Sequence, residues 1–194
     1  MDEFPHERLI IAGLAYSGDI AALQETKILI ENGYADVMAG VVEDICINHY
    51  YQTLIVNSIW KETTDEAGYM RAISHTKYWA GIGLKAAMIY AKRDDLEGFV
   101  YEFADCYGTT CQLFDDMREI DDDVKNGYWS LPIILAGKNG WDLTTPEGKN
   151  KSIERSRELA VERMAKAREM CKNGFSQLGE LVQRIEKAGY AIKH

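Results

Sequence analysis

The sequence predicts an all-α bundle of seven or eight helices forming a single domain over residues 1–194. Three observations predict it. Apolar residues recur at three- and four-residue spacing along nearly the whole chain, and strand-like alternation never persists. Asn-Gly pairs at 32–33, 126–127 and 173–174 punctuate the pattern where helices should end. Three prolines occur in 194 residues, while Ala, Leu, Glu, Lys and Met are frequent, a composition that favours helix.

The elements follow in order. A first helix is predicted over Glu7–Tyr16, and Ser17-Gly18-Asp19 precedes a second over Ile20–Glu31. A long apolar helix is expected over Ala35–Trp60. Thr63-Thr64-Asp65-Glu66 supplies N-cap residues for a helix over Glu66–Lys92. The clearest pattern is Asp95–Asp121, where Leu96, Phe99, Val100, Phe103, Tyr107, Cys111 and Phe114 form one apolar stripe. Asn126-Gly127 and Pro132 should end it, and Gly137–Lys151 reads as a loop. Helices over Ser152–Lys172 and Ser176–Lys187 complete the chain.

Charge and composition exclude several functions. The chain carries a net charge of −9 with no basic run, so it is not expected to bind nucleic acid. No 18-residue uncharged apolar stretch occurs, so no transmembrane segment is predicted. Residues Met1–Arg8 are acidic and poor in apolar side chains, unlike a signal peptide. Cys46, Cys106, Cys111 and Cys171 form no CxxC pair, which argues against zinc. They point to reduced thiols and a cytoplasmic location. The four histidines show no ligand spacing.

The acid is clustered at one helix end. Asp115, Glu119 and Asp122 stand at i, i+4 and i+7 and would share a helical face, and Asp116, Glu119 and Asp123 nearly do the same. Like charges at that spacing destabilise a helix by roughly 0.2–0.5 kcal/mol per pair. The helix dipole disfavours anions at a C-terminus by a further ~0.3–1 kcal/mol each. A bound divalent cation would reverse both effects, and hard carboxylate oxygens suit Mg²⁺. The alternative is an ordinary solvated acidic helix end.

The run Gln112-Leu113-Phe114-Asp115-Asp116-Met117-Arg118-Glu119 resembles the second aspartate-rich motif, FQxxDDxxD, of the trans-isoprenyl diphosphate synthases (the polyprenyl synthetase family). Asp123-Val124-Lys125-Asn126-Gly127-Tyr128-Trp129-Ser130-Leu131-Pro132-Ile133 resembles the DxxxGKxTLPI segment that follows it. His49-Tyr50-Tyr51-Gln52 is similar to the family's HxGQ stretch, and the segment Thr64–Trp79, with Thr76 and Lys77, to the segment ending in Lys-Thr. The matches run in family order from about Ser17 onward. They imply an isoprenoid-synthase-type bundle and a Mg²⁺-dependent prenyltransferase condensing isopentenyl diphosphate with an allylic diphosphate. They assign Asp115, Asp116 and Glu119 to the metal, with Asp115 and Asp116 catalytic, and Lys77, Gln112 and Lys125 to the substrate diphosphate.

The chain departs from the family pattern at several points. The first aspartate-rich motif, DDxxD with its arginines, is absent, and the chain is expected to be N-terminally truncated relative to the family. Glu119 replaces an aspartate, Tyr128 replaces the lysine of the GK pair, and the Lys-Thr pair is reversed as Thr76-Lys77. The resemblance therefore implies a homo- or hetero-oligomer in which another prenyl synthase chain completes the site. A non-catalytic diphosphate-binding or regulatory subunit and another class I terpenoid synthase remain open alternatives.

Overall fold

A computed structural model describes residues 27–54, 65–172 and 175–190, of which 49–54, 176–177 and 188–190 are described by their backbone. The helix expected over Glu7–Tyr16, most of the one over Ile20–Glu31 and the stretch after Leu54 lie outside the described residues. Every regular element among the described residues is helical. In order they are α1 (Ala35–Leu54), α2 (Glu66–Ile73), α3 (Thr76–Ala80), α4 (Ile82–Tyr90), a short 3₁₀ turn (Asp94–Leu96), α5 (Glu97–Arg118), α6 (Ile120–Asn126), α7 (Leu131–Asn139), α8 (Pro146–Cys171) and α9 (Ser176–Tyr190). None of them is long and apolar enough to cross a membrane.

The helix expected over Glu66–Lys92 is instead three short ones. Asp65 caps the first, its carboxylate accepting from the Gly68 amide at 2.6 Å. The break after Ile73 has a local cause. Three consecutive side chains turn back to the backbone: Ser74 Oγ donates to the Arg71 carbonyl, His75 Nδ1 meets the Ala72 carbonyl, and Thr76 Oγ1 donates to the Ile73 carbonyl, each at 2.8 Å. Such bonds compete with the helical ladder. The offset lets α3 lie against α5 at close range. A Cβ at Gly108 would stand 2.9 Å from the Thr76 carbonyl, and one at Gly81 would stand 2.9 Å from Ala104 Cβ.

The segment Gly137–Lys151 holds less loop than the sequence suggests. Pro132 and Pro146 sit in the first turns of α7 and α8, where the missing amide costs no hydrogen bond. Thr145 caps α8 through its hydroxyl, which accepts from the Gly148 amide at 3.1 Å.

Helix α5 runs through the centre, flanked by α3 and α8, while α1 packs on α4 and α3. The largest cluster of buried side chains gathers under the C-terminal end of α5. Tyr69 and Ile73 of α2, Leu113 and Met117 of α5, Ile120 of α6 and Leu131 of α7 are each at most 1% exposed. Full burial of such side chains contributes roughly 1.5–3 kcal/mol each, so the floor beneath the acidic run is rigid.

Candidate functional site

Leu113, Asp116, Met117 and Ile120 follow one another at i, i+3, i+4 and i+7, all buried. One of the carboxylates has thus taken a core position on the inward face. It is fully engaged there. Asp116 Oδ2 accepts from the Tyr69 hydroxyl and, at 3.2 Å, from the Leu131 amide, while Oδ1 accepts from Gln112 Nε2 at 3.0 Å. Burial pushes the Asp116 carboxyl up to about 6, against the pull of those three donors. Burial beside this carboxylate drives the Tyr69 hydroxyl well above its ordinary range, so Tyr69 remains a donor.

Asp115 points toward solvent and pairs with Arg118 one turn on. Helix α5 stops there. Glu119 has left the helical region, at φ −100° and ψ 9°, and α6 starts afresh. The face expected to carry Asp115, Glu119 and Asp122 is therefore broken at Glu119. Mutual repulsion and the helix dipole both favour the break. The new direction brings in Asp123 instead. Burial raises its carboxyl above the ordinary range.

Beyond α6 the chain turns at Gly127, whose φ of 69° is a left-handed C-cap. The Tyr128 amide returns to the Asp123 carbonyl at 2.9 Å. Residues 127–130 then form one wall of a cavity of about 570 Å³. Asp115, Asp116, Glu119 and Asp123 line the other side, with Tyr128 and Trp129 at the rim. No lysine or arginine lines it among the described residues. An anionic ligand could enter such a pocket only with cations of its own.

Gln112 lines the pocket, but the two lysines assigned to diphosphate do not. Lys77 lies on α3 with its Nζ over the Tyr78 ring, 5.1 Å from the centroid. Lys125 is exposed on α6. Tyr69, Trp129 and Ser130 join the site beyond the residues predicted for it. Tyr69 reaches Asp116 across 47 residues. Its one sequence signal was a phenol in an apolar helix, which needs a buried partner.

No protein-family model matches the chain, and no curated protein matches it. Solved structures do. A geranylgeranyl pyrophosphate synthetase from the archaeon Geoglobus acetivorans aligns at a TM-score of 0.62 and 16% identity, covering 79% of this chain and 58% of its own. The apo form of an Arabidopsis medium/long-chain length prenyl pyrophosphate synthase aligns at a TM-score of 0.66 and 16% identity, covering 95% of this chain and 79% of its own. The fold is that of a prenyl pyrophosphate synthase. At this identity the likeness concerns architecture, and the chain spans little more than half of the archaeal enzyme.

A prenyl-synthase fold raises the question of Mg²⁺. Among the described residues no three His, Cys, Asp or Glu side chains converge as a closed metal site. Beside the engaged Asp116, the pocket is lined by Asp115, which pairs with Arg118, and by Glu119 and Asp123, all hard oxygen donors. That donor set fits Mg²⁺, which is commonly held by one or two carboxylates with phosphate oxygens and waters completing the shell.

Proposed function

We propose that this chain is an isoprenyl diphosphate synthase-like subunit that binds a diphosphate through Mg²⁺ at the α5–α6 pocket. The reaction it serves is the condensation of isopentenyl diphosphate with an allylic diphosphate. One observation carries the proposal: a pocket lined by four carboxylates and, among the described residues, by no lysine or arginine, at the helix end whose sequence resembles the second aspartate-rich motif. Asp115 and Glu119 would hold the ion, with Asp116 buried behind them.

Mg²⁺, when bound, neutralises the diphosphate and stabilises it as a leaving group. The chain's own residues do the rest. Asp115 would exchange its partner Arg118 for the ion. Glu119, at the point where the helix redirects, would supply a second carboxylate. Tyr128 and Trp129 line the pocket and would offer aromatic rings to a developing carbocation. In the reaction the allylic C1–O bond breaks with its electron pair leaving on diphosphate. The isopentenyl double bond then attacks C1, and a proton leaves the isopentenyl unit. A second prenyl synthase chain would complete the site.

The test is product formation from isopentenyl and farnesyl diphosphates with Mg²⁺, by the chain alone and mixed with a related prenyl synthase chain. Product that requires the mixture and is lost in Asp115→Asn supports the subunit role. Equal product with wild type and Asp115→Asn would overturn it. A second reading, a non-catalytic diphosphate-binding subunit, is favoured by the placement of Lys77 and Lys125 outside the pocket. Binding of diphosphate without any effect of Asp115→Asn on product would decide for it.

A further inference from the structure

Resting on the pocket as a cation–diphosphate site, we propose that Tyr69 and Asp116 form a positioning pair. Asp116 fixes the start of helix α7 and so the 127–130 wall, and leaves the cation to the other carboxylates of the pocket, Asp115 and Glu119 foremost. Asp116 is not available as a free ligand. Both its oxygens are occupied, by Tyr69 and Leu131 on one and Gln112 on the other.

The contact with Leu131 is a helix cap supplied from a distance. The first four amides of a helix have no partner within it. Ser130 occupies the N-cap position of α7 with extended backbone, yet its side chain makes no capping hydrogen bond. Asp116, 15 residues earlier in the chain, accepts from the Leu131 amide instead. A carboxylate at a helix N-terminus is also favoured by the helix dipole. The wall is thus tied at both ends, by Tyr128 to the Asp123 carbonyl and by Leu131 to Asp116.

Tyr69 is the third corner. It is fully buried, and its hydroxyl holds the same oxygen that receives the Leu131 amide. The pair joins α2, α5 and α7, and sets how far the wall stands from Asp115 and Glu119.

Two measurements test the pair. The first is amide hydrogen exchange, read at Leu131. Tyr69→Phe should speed exchange there at least tenfold and leave the middle of α5 unchanged. Exchange at Leu131 within twofold of wild type would overturn the proposal. Should Tyr69→Phe loosen the whole fold, Gln112→Met replaces it, with the same expectation and the same overturning result. The second is Mn²⁺ binding in the presence of inorganic pyrophosphate, compared across Tyr69→Phe, Asp116→Asn and the double variant. A positioning pair predicts similar losses for both single variants and no further loss in the double. Asp116→Asn at least tenfold worse than Tyr69→Phe would make Asp116 a metal ligand and overturn the assignment. Absence of Mn²⁺ binding in wild type would remove the cation site, and with it the cation half of the proposal, while the exchange result still decides the cap.

Discussion

Asp44 of α1 and Asp116 of α5 are both buried, at 1% and 4% exposure, but they are held by opposite means. Asp44 meets a cation. Lys85 Nζ donates to its Oδ1 at 2.7 Å, and the Tyr101 hydroxyl donates to the same oxygen at 3.1 Å. Burial raises the Asp44 carboxyl while Lys85 pulls it down. Burial alone would lower Lys85, but its hydrogen bond to Asp44 carries it upward. Lys85 supplies the counter-charge, which it shares with Glu43 at 3.5 Å, while Asp44 Oδ2 is buried without a hydrogen-bond partner among the described residues. Asp116 meets three neutral donors and no cation, and its charge joins those of Asp115, Glu119 and Asp123 around one cavity. The comparison teaches where an ion is wanted. A buried carboxylate paired with lysine is architecture, whereas one held by dipoles beside three others leaves a negative field that a divalent cation can answer.

The largest expected effect falls on the Asp44–Lys85 pair. Lys85→Met should destabilise the fold by about 3–5 kcal/mol, because it leaves Asp44 buried without its counter-charge. Urea unfolding measures it. Adding Asp44→Leu to Lys85→Met should restore most of the loss, and no restoration would mean that the pair does more than balance charge.

The next effect distinguishes Asp116 by its pH signature. Its folded pKa of about 6 lies above the ordinary 3.8. Whatever stability depends on its protonation is fully present below the unfolded value and is lost as pH rises through the folded one. Two units and a little more correspond to at most about 3 kcal/mol between pH 4 and 6. Asp116→Asn should flatten the stability profile across that window, read as the difference between the two unfolding curves. An unchanged slope would show that Asp116 ionises as an ordinary surface carboxylate.

How much of this was legible beforehand depends on sequence distance. The acidic run stood out because like charges at a helix C-terminus are locally unfavourable, and the resemblance to the second aspartate-rich motif singled out Asp115, Asp116 and Glu119 within it. The all-α architecture followed from periodicity. Three things were not legible. Whether Asp116 faced the core or the pocket turned on one position in the heptad, and the Leu113–Met117–Ile120 stripe decided it. The break at residues 74–76 needed the side-chain bonds of Ser74, His75 and Thr76. The Asp44–Lys85 pair joins helices 41 residues apart, and neither residue is unusual in its own stretch of chain.

Two smaller effects sharpen the comparison. Gly108→Ala should cost about 1–3 kcal/mol, since the new methyl would press on the Thr76 carbonyl and Ala80 and push α3 away from α5. Thermal unfolding checks it, and a neutral result would mean α3 can shift freely. Arg118→Ala should change stability by no more than about 1 kcal/mol, as expected of an exposed pair. It should nonetheless tighten Mn²⁺ binding, because Asp115 no longer has a competing partner. Weaker binding would indicate that Arg118 contacts the ligand itself.

Calorimetric titration of the chain with inorganic pyrophosphate, with Mg²⁺ and then with excess chelator, tests the pocket most directly. Binding should occur with Mg²⁺, vanish in chelator, and fall at least tenfold in Asp115→Asn. Pyrophosphate binding that survives chelator, or that Asp115→Asn leaves intact, would contradict a cation-dependent diphosphate site at the end of α5.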